Sequence, residues 1–215
     1  MVARGSGRTL GIAAACTAFV MGGVGLAHLW RGIEVGVLMG DPAAVLDAPF
    51  YLGAVTLLRT TVLAMAAGGC LTAAWALRGR RDRNTEFVGV LGLGMAVLVL
   101  DDKFQGHEAV LGNIAGVPEA ITFTAMGAVA VAVVVRYAEV VRARPDAWAA
   151  PIAIALFAAS AVVDRSGHPW LNNVVETTLE VAGITALAVF GARAGLALLQ
   201  QAPARNTDTC TCAVR

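Results

Sequence analysis

Long apolar runs broken by short polar patches dominate the pattern along this chain. Six stretches are long and apolar enough, or nearly so, to form membrane-spanning helices: roughly Leu10–Trp30, Tyr51–Leu77, Glu86–Asp102, Glu119–Val141, Trp148–Asp164 and Val174–Gln200. A spanning helix needs about 20 mostly apolar residues, because the hydrocarbon core is about 30 Å thick and each residue rises about 1.5 Å. The alternating polarity of barrel strands does not occur, and a backbone in lipid must satisfy its own polar groups, so helices are the predicted elements. The expected fold is an all-α, polytopic integral membrane bundle of six transmembrane helices, laid down as three helical hairpins. Short connections make residues 1–200 one transmembrane domain, followed by a short tail over 201–215.

Composition points the same way. The chain is 58% apolar and 14% charged with mean hydropathy +0.71, against about 45–50% and about 25% in soluble domains. Sixteen basic and fifteen acidic residues leave a net charge of +1, so no basic field exists to hold nucleic acid. The expected partners are the lipid bilayer and other subunits, like or unlike, packed through Gly-rich helices such as Gly22-Gly23-Val24-Gly25 and Gly92-Leu93-Gly94.

The basic residues set the predicted orientation. Arg4, Arg8, Arg78, Arg80, Arg81, Arg83, Arg136, Arg142, Arg144, Arg193, Arg205 and Arg215 fall on one side of the alternating helices; Arg31, Arg59, Lys103 and Arg165 fall on the other. The Arg-rich side is cytoplasmic by the positive-inside rule, which places both termini and the tail in the cytoplasm of a multi-pass protein of the cell membrane. The first apolar run is too long, and lacks a clean small-residue exit, for a cleaved signal peptide. Cys16 and Cys70 lie inside helices, where a thiol acts as a small apolar group. Cys210 and Cys212 form a C-x-C in the tail, too few ligands for an ordinary metal site.

Acids and histidines sort to the opposite side. Ten of the fifteen acids and His28, His107 and His168 lie there. The apolar runs Phe87–Leu100 and Trp148–Val163 cover roughly 21 and 24 Å, so each must draw its following acids, Asp101-Asp102 or Asp164, toward the core in order to span. Glu176 and Glu180 fall in the first two turns of the sixth segment, four apart on one face, with Asn172-Asn173 as the expected N-cap. VLVLDDKFQGHE and AVVDRSGH share a pattern: an apolar run, Asp, a basic residue, and a His four or five positions after the last Asp. Ionisable groups at this depth cost about 2.5–3.5 kcal/mol each on insertion scales and face the bundle interior. Arg59, about eight residues into its segment, pairs on these grounds with Glu180 as a structural, bidentate ion pair.

The resulting candidate set is Asp101, Asp102, His107, Glu108, Asp164, His168, Glu176 and Glu180. Carboxylates and imidazoles together suit a divalent metal, Zn or Fe, with an open position for water or oxygen. The first expectation is thus an outward-facing acidic and His-bearing polar site, metal-binding and enzymatic on a lipid or small apolar substrate. A cation- or proton-coupled transporter or channel is the alternative, and a membrane scaffold or assembly subunit the second. Each residue also has a plainer reading as a helix-end charge opposing the dipole or reaching water.

Overall fold

The computed structural model describes residues 18, 21–23, 25–32, 54–80, 82–104, 111, 114–164 and 171–201. Among these residues all regular structure is helical and no strand occurs. Two compact units divide the chain, Met1–Ala54 and Val55–Arg215. In the first, residues 25–31 are helical. Gly32 closes that helix at φ 66°, its N–H donating to the His28 carbonyl at 2.9 Å; this left-handed conformation costs a glycine nothing. Arg31 lies over the Trp30 ring, 5.2 Å from its centre.

The second unit contains α1 (Ala54–Ala76) from its second residue on, α2 (Arg83–Phe104), α3 (Glu119–Arg136), the short α4 (Ala138–Arg142), α5 (Ala149–Asp164) and α6 (Thr177–Gln200). A 3-10 turn, Arg78–Arg80, leads from α1 toward α2, and a π-helical turn, Leu171–Glu176, leads into α6. Among the described residues two helices, Ala54–Ala76 and Val174–Gln200, are long and apolar enough to cross a membrane; Ala120–Arg136 and Ala149–Asp164 are apolar but shorter.

Helices depart from the apolar pattern at three places. α2 begins at Arg83 rather than near Glu86. Asp82 caps it: Oδ1 accepts the Thr85 N–H at 2.8 Å and the Asp82 carbonyl accepts the Glu86 N–H at 3.1 Å. Removing this cap, Asp82→Ala, should cost about 1 kcal/mol of stability in thermal unfolding. The expected continuous helix over Glu119–Val141 is interrupted at Tyr137 (φ −112°, ψ 23°). There the chain turns to bury the ring, which meets Phe87 at 5.4 Å between centroids. The ladder survives the break, since the Tyr137 N–H reaches Val133 O and the Val141 N–H reaches Tyr137 O. Asn172-Asn173, expected as an N-cap, instead sit within the π-helical turn, and α6 proper starts at Thr177 with no side-chain cap.

Small residues make the core. On α1 the buried positions are Thr60, Leu63, Ala66, Ala67, Cys70 and Ala73, a stripe at helical spacing. On α6 they include Ile184, Ala188, Gly191, Ala194, Gly195 and Leu198. Between these stripes lie Phe87, Val88, Gly92 and Met95 of α2. Cys70 is fully buried, and its thiol donates to the Gly191 carbonyl at 3.1 Å, in keeping with the expectation of a small packed group; Cys16 lies outside the described residues. The opposite helix faces stay exposed and apolar: Leu57, Leu58, Met65 and Trp75 on α1, Leu93 and Val97 on α2, Val129 and Val135 on α3. Threonine hydroxyls turn inward along their own helices, with Thr60, Thr61, Thr124 and Thr178 each donating to a carbonyl four residues back. That arrangement satisfies a hydroxyl without water.

Polar groups collect at the two ends of this unit. At one end Arg83 donates to Glu139 Oε2 at 3.0 Å and to the Arg136 carbonyl at 2.8 Å. Arg80 reaches the Gln201 carbonyl at 2.7 Å. These arginines satisfy carbonyls at helix C-termini, where the dipole favours a cation. The other end holds the candidate site.

Candidate polar site on three helices

Arg59 on α1 is the organising residue. One guanidinium nitrogen, Nη2, donates to Asp102 Oδ1 of α2 at 2.6 Å, and the other, Nη1, donates to Glu180 Oε2 of α6. All three side chains are mostly buried, at 14%, 21% and 29% exposure for Arg59, Asp102 and Glu180. Elementary helix geometry explains the meeting. Arg59 lies five residues after the start of α1, Asp102 two before the end of α2 and Glu180 three after the start of α6. At about 1.5 Å per residue each is within about 8 Å of the same end of an alternating bundle.

The pairing differs from the expected bidentate contact. The fork is split between two carboxylates, because α2 brings Asp102 to the same depth as Glu180. Two buried atoms in the cluster, Arg59 Nε and Asp102 Oδ2, have no hydrogen-bond partner among the described residues. The charges are one guanidinium against two carboxylates, in surroundings where an unpaired polar group is costly.

Asp101, beside Asp102, is half-buried at the end of α2; Asp164 is half-buried at the end of α5, and Glu176 half-buried in the π-helical turn. That turn packs against both α5 and α6, so chain order brings Asp164 and Glu176 to the end of the unit that carries Glu180. Each of the three has interactions of its own. His107, Glu108 and His168 lie outside the described residues. His28 belongs to the first unit, where it is exposed. Among the described residues no group of three or more His, Cys, Asp and Glu is arranged to hold a metal ion. The Arg59 guanidinium lies between Asp102 and Glu180 and donates to both.

Residues 9–194 match a family described as a domain of unknown function, DUF8692. The chain belongs to the DUF8692 family. Arg59, Asp102 and Glu180 all lie within the matched span, as do the six apolar segments apart from the last residues of α6. No curated protein and no solved structure matches the chain.

Proposed function

We propose that all six apolar segments cross the membrane, with both termini cytoplasmic, and that the chain works through an acidic site open to the non-cytoplasmic side. The observation that carries this reading is the Arg59–Asp102–Glu180 cluster. Three helices direct charged side chains to one point, and Asp102 Oδ2 there has no partner among the described residues. With two carboxylates against one guanidinium, the cluster favours a ligand that brings positive charge or a hydrogen-bond donor. The exposed apolar faces of α1, α2 and α3 support the membrane setting, since patches of this extent seldom face water.

The site so read is metal-binding and enzymatic, with a divalent ion, Zn or Fe, acting on a lipid or small apolar substrate. Asp101, Asp102, His107, Glu108, Asp164, His168, Glu176 and Glu180 are its ligand candidates, and a bound ion there would activate water or polarise an oxygen. Metal analysis of detergent-purified protein tests it. On the order of one Zn or Fe per chain is expected, falling by at least about half in Asp102→Asn or Glu176→Gln. Metal-free wild-type protein with intact helical content rejects the metal reading.

Cation- or proton-coupled transport is the alternative, because a buried carboxylate oxygen without a partner is a place to hold a proton. The apolar side chains beyond the cluster, Leu63, Met95, Ile184 and Phe190, weigh against it, as they offer no polar route toward the other end. A scaffold would tolerate joint neutralisation of the three charges as long as it folds. The topology has its own test: reporter fusions after Arg83 and after Arg144 should read cytoplasmic, and one near Gly112 external. An external signal after Arg83 overturns the orientation.

A further inference from the structure

The opposite end of the second unit contains a cavity of about 440 Å³, bounded by the turn after α4, the start of α2 and the last two turns of α6. Its polar lining comes from Asn84, Arg144, Asp146, Arg193 and Gln201. Backbone hydrogen bonds fix the turn that carries Arg144 and Asp146: Arg144 N–H to Val141 O, Ala147 N–H to Arg144 O, and Ala149 N–H to Asp146 O, at 3.0, 3.2 and 3.0 Å. The Arg144 guanidinium rests 5.6 Å from the centre of the Phe87 ring, itself a core residue. The backbone that carries both residues and the Arg144 guanidinium are therefore held in place.

Two atoms here are buried and unpartnered. Among the described residues Arg144 Nε has no acceptor and Asp146 Oδ2 no donor, although Asp146 is only 6% exposed. No ion pair joins the two residues, whose charges influence each other without contact. Burial pulls the pKa of Arg144 below its ordinary value, and Asp146 pushes it back up. A group with only negative charge would answer Arg144 and Arg193 but would leave Asp146 stranded beside it. A cation alone would fail in the converse way. The lining calls for a ligand that carries both charges within a small headgroup, and the volume suits one.

We propose that this cavity binds a phosphate ester bearing a primary ammonium group, with the phosphate on Arg144 and Arg193 and the ammonium donating to Asp146. Guanidinium groups are well matched to phosphate oxygens, and the amides of Asn84 and Gln201 supply neutral hydrogen bonds around them. Two sources share this chemistry. One is the headgroup of phosphatidylethanolamine, which would sit at this depth on the membrane reading given above; the other is free phosphoethanolamine.

Native mass spectrometry on the full chain in detergent separates these sources. The protein is offered equimolar phosphatidylethanolamine, phosphatidylglycerol and phosphatidylcholine, and in a second arm soluble phosphoethanolamine. Phosphatidylethanolamine should be retained about tenfold over the other two, the usual worth of a charge-assisted hydrogen bond. Arg144→Gln should lower its retention about tenfold, and Asp146→Asn should erase the preference over phosphatidylglycerol. Arg193→Gln, at an exposed position, should weaken retention in the same direction and keeps the test open if Arg144→Gln does not fold. Binding of soluble phosphoethanolamine alone, with the same dependence on these residues, upholds the site and assigns it to the free ester. Equal retention of the three lipids without binding of the soluble ester overturns the proposal. So does retention indifferent to both arginine substitutions. Loss of thermostability in Arg144→Gln and Asp146→Asn with binding unchanged also overturns it, leaving a structural pair of charges.

Discussion

Replacing Arg59 with leucine should destabilise the protein by about 3 kcal/mol, the lower end of what breaking a buried ion pair costs. The reasoning is electrostatic. Arg59 is the partner of both Asp102 and Glu180, so its removal leaves two carboxylates facing each other with little water to screen them. Glu180→Leu should cost less, because the guanidinium keeps Asp102. The double change Arg59→Leu/Glu180→Leu should recover only part of the loss, since Asp102 is then stranded. Full recovery should need the third change, Asp102→Asn. Thermal unfolding in detergent across this series reads the coupling directly. Losses that simply add, with no recovery in the double or triple variant, would mean that the three side chains do not share one site.

That series also separates what the sequence discloses from what it hides. Arg59 is legible as a buried cation because it lies well inside an apolar run, and Glu180 as its counterpart because depths can be counted from helix starts. Asp102 is legible as a deep acid but not as a partner of Arg59. Read along the chain it belongs with Asp101 and Lys103; only the packing of α2 against α6 brings it to the cation. A depth comparison of every acid with Arg59 would have found it, as both lie within a few residues of helix ends on the same side. Helix identity is legible throughout the second unit for a simple reason: apolar runs of this length admit little else. Local geometry is not. Tyr137 breaks a run that composition would continue, because burying its ring against Phe87 outweighs one helical dihedral pair. Asn172-Asn173 have the right chemistry for a cap, yet the chain winds through them as a wider turn.

Glycine substitutions at the three-helix contact should divide sharply according to what a new methyl group meets. Cys70 on α1 lies between Gly92 of α2 and Gly191 of α6, and the absence of side chains at both glycines is what allows the approach. A Cβ at Gly92 would stand 2.9 Å from Cys70 Cβ and 3.1 Å from the Leu71 backbone nitrogen. Neither atom can swing away, so two helices must separate. A Cβ at Gly191 would stand 2.7 Å from Met95 Cε, the far end of a flexible chain that can change rotamer. Gly92→Ala should therefore cost about 2–3 kcal/mol, the upper part of the overpacking range, and Gly191→Ala about 1 kcal/mol. Gly94 is two residues from Gly92, and nothing lies within 4 Å of a Cβ built there. Gly94→Ala should then be neutral or stabilise by up to about 1 kcal/mol through helix propensity alone. The three variants share one chemistry and differ only in surroundings, so their order in thermal unfolding tests the packing of α1 against α2. If Gly92→Ala proves as harmless as Gly94→Ala, those helices do not approach at Cys70. The small-residue contact that positions Arg59 opposite Asp102 would then have to be redrawn.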